Sequence, residues 1–324
     1  MYKNIILAIL LIFMAACSKP KPDIQPSWYT NVPSDYKLFY AVASADSVEK
    51  AKKIAIVKMR KSLSMQVNSR FENKNNTFLV DKNLHEQVKL YNIEISNRLS
   101  LNRVKVEKTQ TFKGKKLVLI SIPRINLFNK LKIISDVKFH RAQEADKRAL
   151  NKTAIERFMA LESAVKELAT LVSLAEYKDF LISTYSCEDE FTFLIKLKNE
   201  YDELKNSINF YILTDVNSRI FYSSIKSAIE AKGLSVKNEI SSKNSYKLLI
   251  TSKTKEEKDY MFNKSRTLVK FITFDSEKNK LKFRQHTFIG KSRKNFKEAK
   301  YQAANNLKYK IKRLGIFDFI GFKR

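Results

Sequence analysis

Glycine is nearly missing from this chain. Only Gly114, Gly233, Gly290, Gly315 and Gly321 occur in 324 residues, too far apart to wrap a phosphate, so a glycine-rich nucleotide cradle has no support. Proline is as scarce: Pro20, Pro22, Pro26 and Pro33 sit near the start, and Pro123 stands alone beyond them. Cysteine occurs twice, as Cys17 and Cys187. His85, His140 and His286 are the only histidines, and none has an acidic or cysteine neighbour at a metal-ligand spacing, so no metal site and no cofactor is expected. No serine lies in a nucleophile elbow. The triplet Glu188-Asp189-Glu190 offers carboxylates for glycan hydrolysis, but an acidic run at a helix start more often serves the helix dipole. No enzymatic activity is expected.

What is present begins at the N-terminus. Met1-Tyr2-Lys3-Asn4 is followed by an apolar run from Ile5 and by Met14-Ala15-Ala16-Cys17. A basic start and an apolar stretch of about a dozen residues are too short for a bilayer span and read as a cleaved signal peptide, 1–16. A cysteine directly after the small residues is the thiol a lipoprotein needs to carry diacylglycerol, so Cys17 is assigned as the lipidated first residue of the mature chain. Each buried methylene of the acyl chains contributes roughly 0.8 kcal/mol of anchoring. Ser18 follows, and in the bacterial sorting pattern that this resembles a residue other than aspartate there sends the protein to the outer membrane, so an outer-membrane tether facing the periplasm is expected. Cys187 then has no partner for an intrachain disulfide. It is either an intermolecular or redox thiol or, more commonly for a lone cysteine, a small buried hydrophobe.

Acid is underrepresented: 62 Lys and Arg oppose 33 Asp and Glu, a net charge of +29. In the cytoplasm such a balance suggests nucleic acid. An exported chain meets lipid A phosphates, phospholipid headgroups, peptidoglycan carboxylates and acidic proteins instead, and nucleic acid is not expected as a partner. The lysines are spread through every segment, which describes a solvated surface with a weak preference for membrane or wall.

The expected fold class is α+β: two small α/β-layer domains joined by a long helical spacer. Residues 17–27 form an extended, proline-rich tether. The first domain, 28–123, has a strand at Leu38–Ala43, a helix opened by Asp46 and Glu49 as a capping box, a second helix at Leu84–Ile95, and a hairpin of 100–110 and 115–122 around Gly114. Segment 124–205 lacks proline and glycine and is expected as a helical spacer or coiled hairpin. In it Phe158, Leu161, Val165, Leu168, Val172 and Ala175 mark a seam that serves either a coiled coil or an ordinary amphipathic helix. The last domain, 206–324, is expected as helices on a mostly antiparallel sheet, with strands at 208–213, 234–238, 246–251, 267–275 and 280–290, helices at 219–231 and 295–314, and an aromatic tail, Ile316–Phe322, packed on its own sheet.

Pro26-Ser27-Trp28-Tyr29, Val32-Pro33, the run Tyr40 to Ala45, and the alanine-bearing helix from Glu49 through Ala51 and Ala55 to Leu63 resemble the Lpp-twenty lipoproteins of epsilonproteobacteria. Ala43 stands where that pattern usually has glycine. The resemblance covers about a third of the chain, Pro26 to Pro123. It implies an outer-membrane lipoprotein without enzymatic activity, one branch of the family building the flagellar basal disk by polymerising into rings. The expected function is therefore structural, in a periplasmic ring or disk supporting motility, with self-association and other disk or envelope proteins as partners. The alternatives are recognition of peptidoglycan or lipid A and docking on an envelope enzyme as activator.

Overall fold

The structure is a computed structural model that describes residues 24–78, 82–240 and 242–322. Signal peptide 1–16, lipidation site Cys17 and most of the tether lie outside the described residues. The chain is α+β, as its patterning implies, and forms two units, each with its own sheet: Met1–Ser135 with Val172–Glu188, and Asp136–Leu171 with Asp189–Arg324.

In the first unit a short helix, α1 (Ser27–Thr30), precedes strand β1 (Leu38–Ala45), helices α2 (Val48–Phe78) and α3 (Lys82–Arg98), and the hairpin β2 (Lys105–Phe112) and β3 (Lys115–Pro123). The sheet order is β1-β3-β2, antiparallel throughout. Lys113 and Gly114 both have positive φ, 46° and 73°, the conformation that matches a two-residue turn to the strand twist. The expected strand from residue 100 begins only at Lys105, because Leu99 and Leu101 turn into the core instead of joining the ladder. Ala51, Ala55, Met59, Leu63 and Val67 recur every four residues along α2 and bury against Phe39, Ala41 and Ala43 of β1 and Val118, Ile120 and Ile122 of β3. The helix is capped one residue later than expected: Ser47, not Asp46, accepts the Lys50 N–H at 3.3 Å, and its carbonyl starts the ladder.

The expected spacer 124–205 is not a separate part. It consists of α4 (Arg124–Ala149), α5 (Ala154–Lys166), α6 (Leu168–Leu181) and α7 (Glu188–Ser207), and both units draw on it. Leu127, Leu131, Leu174, Tyr177 and Leu181 complete the first core, whereas Ile155, Phe158 and Met159 belong to the second. The seam is interrupted at Glu167, where α5 ends. All its members but Val165 are buried within the folded chain, so it is no exposed coiled-coil stripe.

The second unit carries β4 (Asn209–Thr214), α8 (Arg219–Glu230), β5 (Ser235–Lys237), β6 (Ser245–Asp259), β7 (Phe262–Phe274), β8 (Lys280–Ser292), α9 (Phe296–Leu314) and α10 (Ile316–Ile320). The order β5-β4-β6-β7-β8 is mixed: β5-β4 and β4-β6 are parallel, the remaining pairs antiparallel. The β4–β5 pair is parallel because α8 carries the chain from β4 across to β5, which a hairpin cannot do. Helix α9 lies so close to β8 that a Cβ on Gly290 would stand 1.8 Å from the Ala299 carbonyl oxygen. The aromatic tail packs on its own sheet, Phe319 stacking on His286 at 4.5 Å and meeting Phe271 edge-on.

Candidate functional site

The residues singled out by sequence do not converge. Cys187 is buried. His85 stacks on Phe71 with ring centres 5.1 Å apart, His140 is exposed on α4, and His286 is enclosed with Nε2 2.8 Å from the Phe319 carbonyl. Among the described residues no three His, Cys, Asp or Glu side chains are grouped to hold a metal ion. Glu188-Asp189-Glu190 forms the first turn of α7, where negative charge meets the positive end of the helix dipole. No described helix is long and apolar enough to cross a membrane.

The feature with functional geometry is the free edge of β1. In its ladder with β3, the Arg124 N–H donates to the Lys37 carbonyl at 2.8 Å in the register that pairs Leu38 with Pro123. Antiparallel pairs alternate between bonded and non-bonded, so Phe39, Ala41 and Ala43 bond to β3 while the N–H and C=O groups of Leu38, Tyr40, Val42 and Ser44 point away from it. Pro123, which has no N–H, occupies a non-bonded position, as the alternation requires. The outward Leu38 carbonyl receives Arg124 Nε at 3.5 Å, so the open stretch begins at Tyr40.

This edge opens on a groove of about 390 Å³ between β1, the loop 32–35 and the α2 residues Lys58, Ser62 and Gln66. Gln66 donates to Ser62 across one helical turn, 2.8 Å, which holds that wall. Arg124 closes one end. Its guanidinium lies 5.3 Å from the Phe39 ring centre and 5.1 Å from that of Phe180, and Nη1 donates to the Phe180 carbonyl at 3.3 Å. Burial lowers its pKa and the nearby Asp35 carboxylate opposes that effect; guanidinium stays charged in any case. Sequence reading overlooked Arg124 as the first residue of the spacer. Its place directly after Pro123, at the end of a strand, was the available signal.

Edges are normally blunted by charge, proline or a bulge. The opposite edge, β2, shows these devices: Lys105, Lys108 and a bulge between Val106 and Lys108. β1, Leu-Phe-Tyr-Ala-Val-Ala-Ser-Ala, has none over eight residues. Such an edge can accept an additional strand through main-chain hydrogen bonds.

No family model matches the chain, and no curated protein matches it. Solved structures similar in part include a minor lipoprotein from Acinetobacter baumannii, 14% identical with a TM-score of 0.28, the match covering 35% of this chain and 92% of that one. Another is a secreted protein from Helicobacter pylori, 16% identical with a TM-score of 0.34, covering 72% of this chain and 81% of that one. Likeness of this degree establishes neither a shared fold nor a shared function.

Proposed function

We propose that this chain is a non-enzymatic lipoprotein, anchored through Cys17 in the outer membrane and facing the periplasm, that builds a periplasmic ring or disk supporting flagellar motility. The observation that carries the assembly reading is the unblunted edge of β1, which offers the outward groups of Tyr40, Val42 and Ser44 to a strand of a neighbouring molecule. The export signal supplies the location, and the resemblance of Pro26 to Pro123 supplies the flagellar role. A strand added at β1 from a different segment of the neighbouring molecule makes a head-to-tail contact, the kind that closes into rings, whereas β1 paired with β1 would stop at a dimer.

Proline at residue 40 tests the reading, since the Tyr40 N–H takes no part in the β1–β3 ladder and an edge strand tolerates proline there. A strain carrying Tyr40→Pro is expected to make the protein at normal level and to bear filaments, yet fail to swim in soft agar, as the deletion strain should. Normal swimming of Tyr40→Pro overturns the edge as assembly site. Normal swimming of the deletion strain overturns the flagellar role itself.

A further inference from the structure

The second unit holds a groove that the assembly reading does not use. It measures about 760 Å³ and lies between α5, α8 and the end of α9, with Gly315 and Ile316 among its lining residues. Four lysines line it, Lys166, Lys232, Lys308 and Lys312, against a single acid, Glu162. Lys232 and Lys166 place their ammonium groups 2.6 and 3.1 Å from the buried Glu162 carboxylate, which engages both and offsets one of their two charges. Lys308 and Lys312, one turn apart on α9 and exposed, have no acidic partner among the described residues.

The opposite wall is α8. Ser223, Ser224 and Ser227 line the groove, and none of their hydroxyls hydrogen-bonds within the described residues. Tyr201, whose hydroxyl is likewise without a protein partner there, is held protonated, its pKa pushed up to about 12 by burial and by the Glu162 and Asp202 charges. The hydrogen-bonding equipment of the groove is thus cations and hydroxyls, with its one carboxylate already engaged. That composition suits a ligand rich in anionic acceptors. Between these groups the surface is carbon, from Ala228, Ala231, Ile311, Ile316 and the Tyr201 ring. The volume lies within the range of sites for drug-sized ligands and far exceeds one phosphate group.

We propose that this groove binds an anionic amphiphile, a molecule with a phosphate-type head at Lys308, Lys312 and the α8 serines and an apolar body along the α8–α9 cleft. Charge fixes the head and desolvation of the carbon wall holds the body, so neither part alone binds well. The inference stands on the second unit and does not rest on the assembly at β1.

Titration calorimetry on the full mature chain, with Cys17→Ser to keep it in solution, tests this directly. The probes are lysophosphatidylglycerol below its micelle concentration, lysophosphatidylcholine with the same body but no net charge, and glycerol phosphate as the head alone. Lysophosphatidylglycerol is expected to bind at least tenfold more tightly than either of the others, and more weakly as salt rises. The double variant K308Q/K312Q is expected to lose at least tenfold with an unchanged circular dichroism spectrum, and Ser223→Asp to weaken binding in the same direction. Lys300→Gln, whose partner is Glu256 outside the groove, leaves it unaltered. Equal binding of lysophosphatidylcholine, equal binding of glycerol phosphate, an insensitive double variant, or no binding of lysophosphatidylglycerol each overturns the proposal.

Discussion

At the scale of single residues, two positions show what packing demands. Gly290 has ordinary backbone dihedrals, so its side-chain hydrogen is required by the neighbour and not by the turn: the Ala303 amide nitrogen as well as the Ala299 oxygen, 2.6 Å and 1.8 Å away, occupy the space of a Cβ. Gly290→Ala should cost roughly 3 kcal/mol of stability by forcing α9 from the sheet. Gly114→Ala, in a turn with nothing within 4 Å of its Cβ, should cost about 1 kcal/mol through its positive φ alone, and denaturant melts of the two variants compare them. His286 is the second case. Burial lowers its pKa from 6.5, Lys310 and Arg284 push the same way, and the Phe319 carbonyl opposes them. The folded state therefore holds it neutral, donating from Nε2. As the unfolded chain takes up the proton first when pH falls below 6.5, stability contributed by the neutral ring is complete above that pH and is lost towards the lower folded pKa. Thermal midpoints from pH 7.5 down to 5 should fall for the native chain and fall less for His286→Gln, which keeps a donor without a titrating ring.

At the scale of elements, caps and edges decide where structure starts and where it is open. Asn295 accepts the Glu298 N–H at 2.8 Å and starts α9, while Ser292 donates to the Glu298 carboxylate at 2.6 Å. Asn295→Ala should lower stability by about 1 kcal/mol in a urea melt, leaving helix content unchanged. The β6–β7 hairpin shows the limit of pattern reading. Apolar alternation ends near Thr251 and resumes at Thr267, yet the strands run on to Asp259 and Phe262. Charged residues hold that outer part, Glu257 facing Lys264 across the ladder, and the tip, Tyr260, is fully exposed. A strand stabilised by main-chain bonds and cross-strand charge carries no hydrophobic period for a reader to find.

At the scale of the whole molecule, the path of the chain governs what can fold alone. The sequence places a boundary at Pro123, where the hairpin ends, but Leu127, Leu131, Leu174, Tyr177 and Leu181 belong to the first core. The Tyr177 hydroxyl donates to the Asn92 carbonyl, and Arg70 pairs with Asp179 at 2.8 Å. A fragment of residues 24–123 should therefore lack a cooperative melt and dispersed amide resonances, whereas the chain from Ile24 onward should show both. A well-dispersed spectrum from the short fragment would show that the later helices are dispensable.

The sequence alone determined the helical four-residue period from Ala51 to Leu63 and the Lys113-Gly114 turn, because each of these is written in residues close along the chain. Tertiary structure alone decided that Arg124 closes the groove beside β1, that Glu162 meets Lys232 from 70 residues away, and that the helices after Pro123 divide between two cores. Those relations depend on which atoms of distant segments approach one another. Local propensity sets the period of an element, but only packing sets its partner.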